Sequence, residues 1–203
     1  RPIVEYELLI DQDTLIQQLI LKQSDPKKKK RIWMQHLKVR FGYDNEDLLL
    51  PVYLKSEEVK VLEASGLRKP NYILPNGAGV GYGYFKMDSI SRSFLLENLP
   101  NINDSYLRGV IWLNLWDEML YGNIKPVDMI DLCIRALKTE NDILNIQRIL
   151  SRLNSIFWNF LSENQRLTKA NQLESILRLH LNEATTITNR SMYFRSLRSI
   201  TIT

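Results

Sequence analysis

The segment Asn76–Asp88 reads NGAGVGYGYFKMD and places a glycine at every second position from Gly77 to Gly83. A dinucleotide-binding turn needs the different spacing G-x-G-x-x-G, so that a helix N-terminus can approach a pyrophosphate. Strict alternation instead predicts an extended strand, with Gly79, Gly81 and Gly83 on a bare face that another backbone can approach closely. We therefore interpret the segment as a closely packed strand in preference to a phosphate-binding loop.

This segment also marks a boundary between two kinds of sequence. Residues 1–87 hold six of the eight glycines and five of the seven prolines. Short alternating apolar runs bounded by turn residues predict an antiparallel β-sandwich domain of about seven strands over residues 1–87. The remaining residues, 88–203, change to an apolar period near 3.6, which predicts a domain of stacked antiparallel helical hairpins.

The first strands are the most regular part of the β-rich half. VEYELLI alternates apolar residues with Glu5 and Glu7, and a turn at residues 11–13 leads into the apolar run TLIQQLILKQ. A third run, RIWMQHLKVRFGY, places Trp33 on the same face as the apolar residues that follow it. We expect three antiparallel strands joined by short turns, with the basic run Lys27–Arg31 at a hairpin tip.

Helix boundaries in the second half follow from capping residues. Asp104 is a plausible N-cap for an apolar stripe that ends at Gly122. Pro126 suits the first turn of a second helix, Asp142 can cap a third, and Thr168 can open a fourth. A further amphipathic segment carries Met192, Phe194, Leu197 and Ile200.

Composition limits the classes of function. Hydrophobic residues make up 44% of the chain, charged residues 25%, and the formal net charge is +4. These values are typical of a soluble globular protein, and no apolar run is long enough to span a bilayer. We expect no nucleic-acid partner, and we interpret Lys27–Arg31 as a solvated tip rather than an anion-binding patch. The compartment stays open between cytoplasmic and periplasmic.

The residue types that most often take part in catalysis do not form a recognisable catalytic motif in this sequence. His36 and His180 lie in different halves of the chain, so no H-x-x-x-H pair can hold zinc. Cys133 lies on an apolar helical stripe and is interpreted as a buried, unreactive thiol. The acid pairs Asp117–Glu118 and Glu57–Glu58 are interpreted as solvated faces. We therefore predict no catalytic and no metal-binding residue in this chain, and no cofactor.

The glycine-rich segment followed by the helix LRGVIWLNLWDEML resembles the C-terminal half of the aminopeptidase N-like zinc metallopeptidases. In that family a β-sandwich ends in an N-x-x-x-x-G-Y-x-Y-like strand and an aspartate, and an early helix bears an arginine and a W-x-x-x-W-like pattern. The matching residues here are Asn76, Gly81, Tyr82, Tyr84, Asp88, Arg108, Trp112 and Trp116. RPIVEYELLI and QSDPKKKKRIWMQHLKVRFGY also resemble the first sandwich strands of the family.

The family's catalytic signatures, H-E-x-x-H with a downstream glutamate and G-x-M-E-N, do not occur in this sequence. The resemblance therefore implies a noncatalytic region that lies downstream of a zinc-binding catalytic domain in a longer parent chain. Its partners would be that catalytic domain and the peptide substrates whose access it gates. The chain stops at SITIT, just after an apparent amphipathic segment without a capping glycine, and we therefore expect the helical domain to be truncated at its C-terminal end.

Two other functions remain open. The first is a free-standing module that binds a protein or peptide on the concave face of its helical hairpins. The second, ranked last, is nucleic-acid binding through Lys27–Arg31.

Overall fold

The computed structural model describes residues 1–12, 14–44 and 46–201. The strands are β1 (Ile3–Asp11), β2 (Leu15–Ser24), β3 (Gln35–Gly42), β4 (Asp47–Leu54), β5 (Glu58–Lys60), β6 (Tyr72–Leu74) and β7 (Tyr84–Phe85). The helices are α1 (Ser89–Asn98), α2 (Ser105–Leu120), α3 (Pro126–Leu137), α4 (Ile143–Asn159), α5 (Glu163–Glu183) and α6 (Ile187–Ile200). The predicted order of an all-β part and then an all-α part is confirmed.

The seven strands form two sheets. One sheet has the order β5-β2-β1-β7 and the other has the order β4-β3-β6. Every pairing between these strands is antiparallel except that of β1 with β7, which is parallel and joins Ile3 to Tyr84 and Val4 to Phe85. The predicted turn at residues 11–13 includes Asp13, which lies outside the described residues.

The prediction that β2 and β3 form a hairpin is wrong. They belong to different sheets, and the loop between them crosses from one sheet to the other. Leu19 and Leu21 of β2 are buried in the same core as Leu37 and Val39 of β3. The two strands therefore pack face to face, which buries both apolar faces, whereas a hairpin would have placed them edge to edge.

The glycine-rich segment is not a strand for most of its length: residues 76–78 form a turn, and only Tyr84–Phe85 is paired as a strand. Gly79 has a φ of +67°, which breaks the extended conformation that alternation predicted. The close backbone approach predicted for Gly79, Gly81 and Gly83 is found only at Gly83, where a Cβ would lie 3.2 Å from the carbonyl oxygen of Pro2. The atoms nearest to a Cβ on Gly79 or Gly81 belong to side chains, and a tighter backbone approach occurs at Gly77. A Cβ on Gly77 would lie 2.4 Å from the Cβ of Arg40 and 2.8 Å from its backbone nitrogen. The N–H of Gly77 donates to the carbonyl of Lys38 at 2.8 Å.

Most predicted helix boundaries are confirmed by capping contacts. The Asp104 carboxylate accepts from the N–H of Tyr106 at 2.9 Å, and Pro126 begins α3. Asp142 accepts from two N–H groups in the first turn of α4. The prediction that Thr168 opens the next helix is wrong, because Ser162 and the third residue of α5 form a reciprocal capping box.

Helix α1 was not anticipated from the sequence. Only Ser91 and Leu95 are buried among its ten residues, so the segment lacks the continuous apolar stripe that reveals an amphipathic helix. Its start is fixed instead by Asp88, whose carboxylate accepts from the N–H of Ser91 at 2.6 Å.

The chain divides into two compact units. The first comprises residues 1–98 and 110–118, and the second comprises residues 99–109 and 119–203. Residues of α2 thus belong to both units, and the predicted domain boundary at residue 87 stays a prediction. Within the described residues, no helix combines the length and the apolar character needed to cross a membrane.

Replacing Gly77 by alanine tests the close approach at the glycine-rich turn. The added Cβ meets the backbone of β3, so we expect Gly77→Ala to lower the free energy of unfolding by about 1 to 3 kcal/mol. Urea unfolding followed by circular dichroism measures the loss.

The matched control is Gly109→Ala inside α2. Its Cβ would meet only side-chain ends, those of Arg148 at 3.0 Å and Asn145 at 3.1 Å. Alanine also favours the helix by up to about 1 kcal/mol, so this variant should be neutral or more stable. Equal losses in both variants would contradict the assigned role of Gly77.

Candidate functional site

A buried carboxylate lies at the junction between β7 and α1, where it contacts Tyr84, one of the residues that carry the resemblance. Glu118 on α2 has no solvent exposure. Its Oε1 accepts from the hydroxyl of Tyr84 at 3.1 Å and from the N–H of Met87 at 2.8 Å. Its Oε2 accepts from the Arg92 guanidinium at 3.1 Å. We call these four residues the Glu118 cluster.

The cluster joins three consecutive features of the first unit. Tyr84 belongs to β7, Met87 lies in the link that follows, and Arg92 lies on α1. A carboxylate removed from water is costly unless hydrogen bonds and an opposite charge compensate it. The donors from β7, the link and α1 provide that compensation, so Glu118 fixes the path of the chain out of the sandwich.

The interpretation of Asp117–Glu118 as a solvated pair is therefore wrong. Asp117 accepts two hydrogen bonds from Arg1, at 2.8 and 3.0 Å, while Glu118 is buried. The sequence held a signal for this burial, because Glu118 lies three residues after Leu115 and seven after Ile111, on the apolar stripe of α2.

Asp88 forms a second polar contact at the same junction. Besides capping α1, its carboxylate accepts from the hydroxyl of Tyr6 at 2.8 Å. Burial, and after it the negative charge of Asp88, raises the pKa of Tyr6 far above its ordinary value of 10.0. Tyr6 therefore stays protonated and keeps donating, which ties β1 to the start of α1.

Asn76 stabilises the glycine-rich turn through hydrogen bonds within the turn itself. Its side-chain oxygen accepts from the N–H of Gly81 at 2.8 Å, and its carbonyl accepts from Gly79 at 3.0 Å. Asn76 is buried, whereas Tyr82 in the same turn is 62% exposed. The turn thus uses its amide side chain to hold its own backbone, and those backbone groups do not form a phosphate-binding cradle.

The second unit contains its own buried ion pair. Arg108 donates to both carboxylate oxygens of Glu140, at 2.8 and 2.5 Å, and also to the carbonyls of Ile102 and Asn103. Burial alone would raise the pKa of Glu140, but the bonds from Arg108 and from two backbone N–H groups together lower it below its ordinary 4.5. Arg108 therefore fixes the loop that precedes α2 against the loop that precedes α4.

The tryptophans of the motif are core residues. Trp112 is completely buried and Trp116 is 8% exposed. The indole N–H of Trp112 has no hydrogen-bond partner within the part of the chain that the structure describes. Their contribution is apolar packing around α2.

The remaining sequence candidates are dispersed. His36 is exposed and stacks on Tyr53 with ring centroids 4.3 Å apart, while His180 stacks on Tyr193 at 5.3 Å. Cys133 is fully buried, and burial raises the pKa of its thiol to about 12. That thiol is protonated at neutral pH, which agrees with the predicted unreactive residue.

The acid pair Glu57–Glu58 is exposed, as predicted, and Glu58 forms an ion pair with Lys22 at 3.0 Å. Over residues 1–12, 14–44 and 46–201, no group of three or more histidine, cysteine, aspartate or glutamate side chains is arranged to hold a metal ion. The geometry described above is that of a structural polar core, since each carboxylate in it is already bound by donors of the chain.

Comparisons with known proteins do not assign a family. No protein-family model matches the chain, and a search of curated proteins gives no match.

Replacing Glu118 by glutamine tests the Glu118 cluster. The variant leaves the Arg92 guanidinium, whose side chain is 20% exposed, without its anion. We expect the free energy of unfolding to fall by about 2 to 4 kcal/mol, as measured by urea unfolding. The neighbouring variant Asp117→Asn is the control and should cost less than about 1 kcal/mol, because its ion pair is partly solvated. A smaller loss for Glu118→Gln than for the control would contradict this role.

Replacing Glu140 by glutamine tests the second ion pair through pH. The folded-state pKa of Glu140 lies below its unfolded value of about 4.5. Its carboxylate therefore contributes stability above that value, and the contribution is lost as pH falls through the folded-state pKa. Glu140→Gln should be less stable at neutral pH and should lose less stability on acidification.

The measurement is a series of urea midpoints from neutral pH to below 4.5. Glu183→Gln serves as the control, because that side chain is 61% exposed. A pH profile for Glu140→Gln that runs parallel to that of the unmodified protein would refute the assignment.

Proposed function

We propose that this chain is the noncatalytic C-terminal region of a zinc-dependent aminopeptidase. In this proposal it supports a separate catalytic domain of the same parent chain and limits the access of peptides to it. The zinc ion would supply an activated water and polarise the N-terminal peptide bond. Among the described residues no group of donors is arranged to hold such an ion, so the proposal assigns the metal site to the catalytic domain.

The observation that carries the proposal is the placement of the residues behind the family resemblance. Asn76, Tyr84 and Asp88 each make a hydrogen bond that fixes the exit from the sandwich. Arg108 fixes the loops around α2 and α4. These hydrogen bonds hold the region rigid. A region that limits substrate access needs such rigidity, because access depends on surfaces that keep fixed positions.

The order of the elements supports the proposal in the same way. A sandwich that leads through a short, polar-bonded link into antiparallel helices is the arrangement that the resemblance implies. The helices of the second unit bury their apolar stripes on one another, with α3 contributing Met129, Ile130 and Cys133 and α4 contributing Ile149 and Leu153.

A free-standing interaction module is the second candidate, and one observation favours it. An open hollow of about 580 Å³ lies between α5 and α6 and is lined by Leu181, Asn182, Ile187, Arg190, Ser191 and Phe194. Ile187 and Phe194 line it and are 90% and 53% exposed. An exposed apolar hollow of this kind suits a protein or peptide ligand.

One experiment separates the two candidates. An antibody raised against this chain captures the natural protein, whose mass, zinc content and cleavage of aminoacyl substrates are then measured. The proposal predicts a product much heavier than 23.9 kDa with aminopeptidase activity and about one zinc per chain. The isolated 203-residue chain is the control and should bind no stoichiometric zinc and cleave nothing.

A metal-free natural product of about the mass of this chain would overturn the proposal and favour the interaction module. Turnover by the isolated chain would overturn the assignment of the chemistry to another domain.

A further inference from the structure

The crossing loop between β2 and β3 carries the whole excess of positive charge. Its residues Asp25–Arg31, which we call the basic loop, hold five cationic side chains and one carboxylate. The formal net charge of the chain is +4. The rest of the chain is therefore neutral on balance, and this loop is a local concentration of positive charge that attracts an anionic partner.

The loop is held in shape by its one acid. Asp25 accepts from the backbone N–H groups of Lys27 and Lys29 at 2.9 and 3.1 Å. It also accepts from the Arg31 guanidinium at 2.8 and 2.7 Å. Lys28 and Lys30 adopt positive φ values of 53° and 54°. The loop backbone thus wraps around an internal carboxylate, and the N–H groups of Lys27 and Lys29 are not available to an external anion.

The lysine side chains have no comparable partner. All four, from Lys27 to Lys30, are exposed. Among the described residues, none of them forms an ion pair with a carboxylate. The structure therefore presents four ammonium groups to solvent from a preshaped backbone.

Exposed apolar residues follow the basic loop in the sequence. Ile32 is 39% exposed and Met34 is 69% exposed. Both belong to the stretch between the basic loop and β3, so cationic and aliphatic groups are adjacent in one short segment. Combined basic and apolar groups at a surface are the features with which peripheral proteins bind lipid.

We propose that the basic loop, together with Ile32 and Met34, binds an anionic lipid surface peripherally. The lysines approach the acidic headgroups, and the two aliphatic side chains enter the boundary between headgroups and acyl chains. This proposal is independent of the proposed aminopeptidase function.

Nucleic acid is a poorer match to the same segment. Proteins that bind single strands stack bases on free aromatic faces and use arginine planes. Here the Arg31 guanidinium is committed to Asp25 and also lies over the Trp33 ring, 4.9 Å from its centroid. The remaining cations are lysines, which act as point charges and suit a surface of mixed headgroups.

A single bound phosphate is also a poorer match. The hollow beside the loop, of about 230 Å³, is lined by Lys28, Lys30 and Arg31 but also by Asp25 and Glu57. Two acidic residues at its wall oppose an anion inside it. A planar anionic surface instead meets the outward lysines without entering the hollow.

The test is cosedimentation of the 203-residue chain with vesicles of phosphatidylcholine alone and of phosphatidylcholine mixed with phosphatidylserine. We expect binding only to the mixed vesicles, and weaker binding as salt increases. Each lysine near an acidic surface strengthens binding roughly fivefold, so Lys27→Gln with Lys29→Gln should weaken it about 25-fold. These two substitutions leave the backbone bonds to Asp25 in place.

The matched control is Lys125→Gln with Lys138→Gln, which removes the same charge from exposed positions at the two ends of α3. It should bind like the unmodified chain. Met34→Ser tests the apolar contribution and should weaken binding, whereas Leu62→Ser, at a residue that is 75% exposed elsewhere in the first unit, should not. Equal urea midpoints within each pair show that folding is unchanged.

Three results would overturn the proposal. They are absence of binding to the phosphatidylserine vesicles, equal loss in the loop variant and its charge control, and tighter binding to a single-stranded oligonucleotide or to polyglutamate than to the vesicles. The last result would assign the basic loop to nucleic acid or to an acidic protein segment.

Discussion

The need to compensate one buried negative charge constrains the first unit more than any other interaction. Glu118 has no solvent exposure, so its carboxylate is tolerable only where donors reach it. Those donors come from β7, from the link after it and from α1. The position of α2 residues 110–118 and the route of the chain from sheet to helix are therefore coupled through one side chain. Apolar packing alone would allow these elements to slide, because dispersion contacts have little directional preference.

The periodicity of the sequence predicts most of the elements but not their pairing. Alternation located β1 and β2, and capping residues such as Asp142 located helix starts, because both signals are local. Whether β2 and β3 pack face to face or pair edge to edge depends on which of their faces share a core. Both arrangements require the same alternation of apolar and polar residues in the sequence, so the sequence does not distinguish them. Helix α1 escaped notice because it buries only two side chains and is fixed by the distant contact of Asp88 with Tyr6.

The polar core was predictable only in part. Asn76, Tyr84, Asp88 and Arg108 could be selected by resemblance, yet their partners could not. Glu118 lies on an apolar stripe, which is a local sign of burial, whereas Glu140 sits 32 residues from Arg108 in a loop without periodicity. The sequence does not show which hydrogen-bond donor will bind a given carboxylate, because donor and acceptor are brought together only by the tertiary structure. Exposed acids are far commoner than buried ones, so an interpretation from sequence alone favours solvent.

The parallel pairing of β1 with β7 has a consequence for the order of folding. Ile3 is paired in register with Tyr84, and the rest of the sandwich lies between them in sequence. During synthesis β1 and β2 can pair early, but Ile3 and Val4 at the outer edge of β1 stay unpaired until Tyr84 and Phe85 have emerged. Closing so long a loop is entropically slow, and an unpaired strand edge is a template for pairing with other chains. This end of β1 is therefore open to pairing with other chains in the interval before β7 docks.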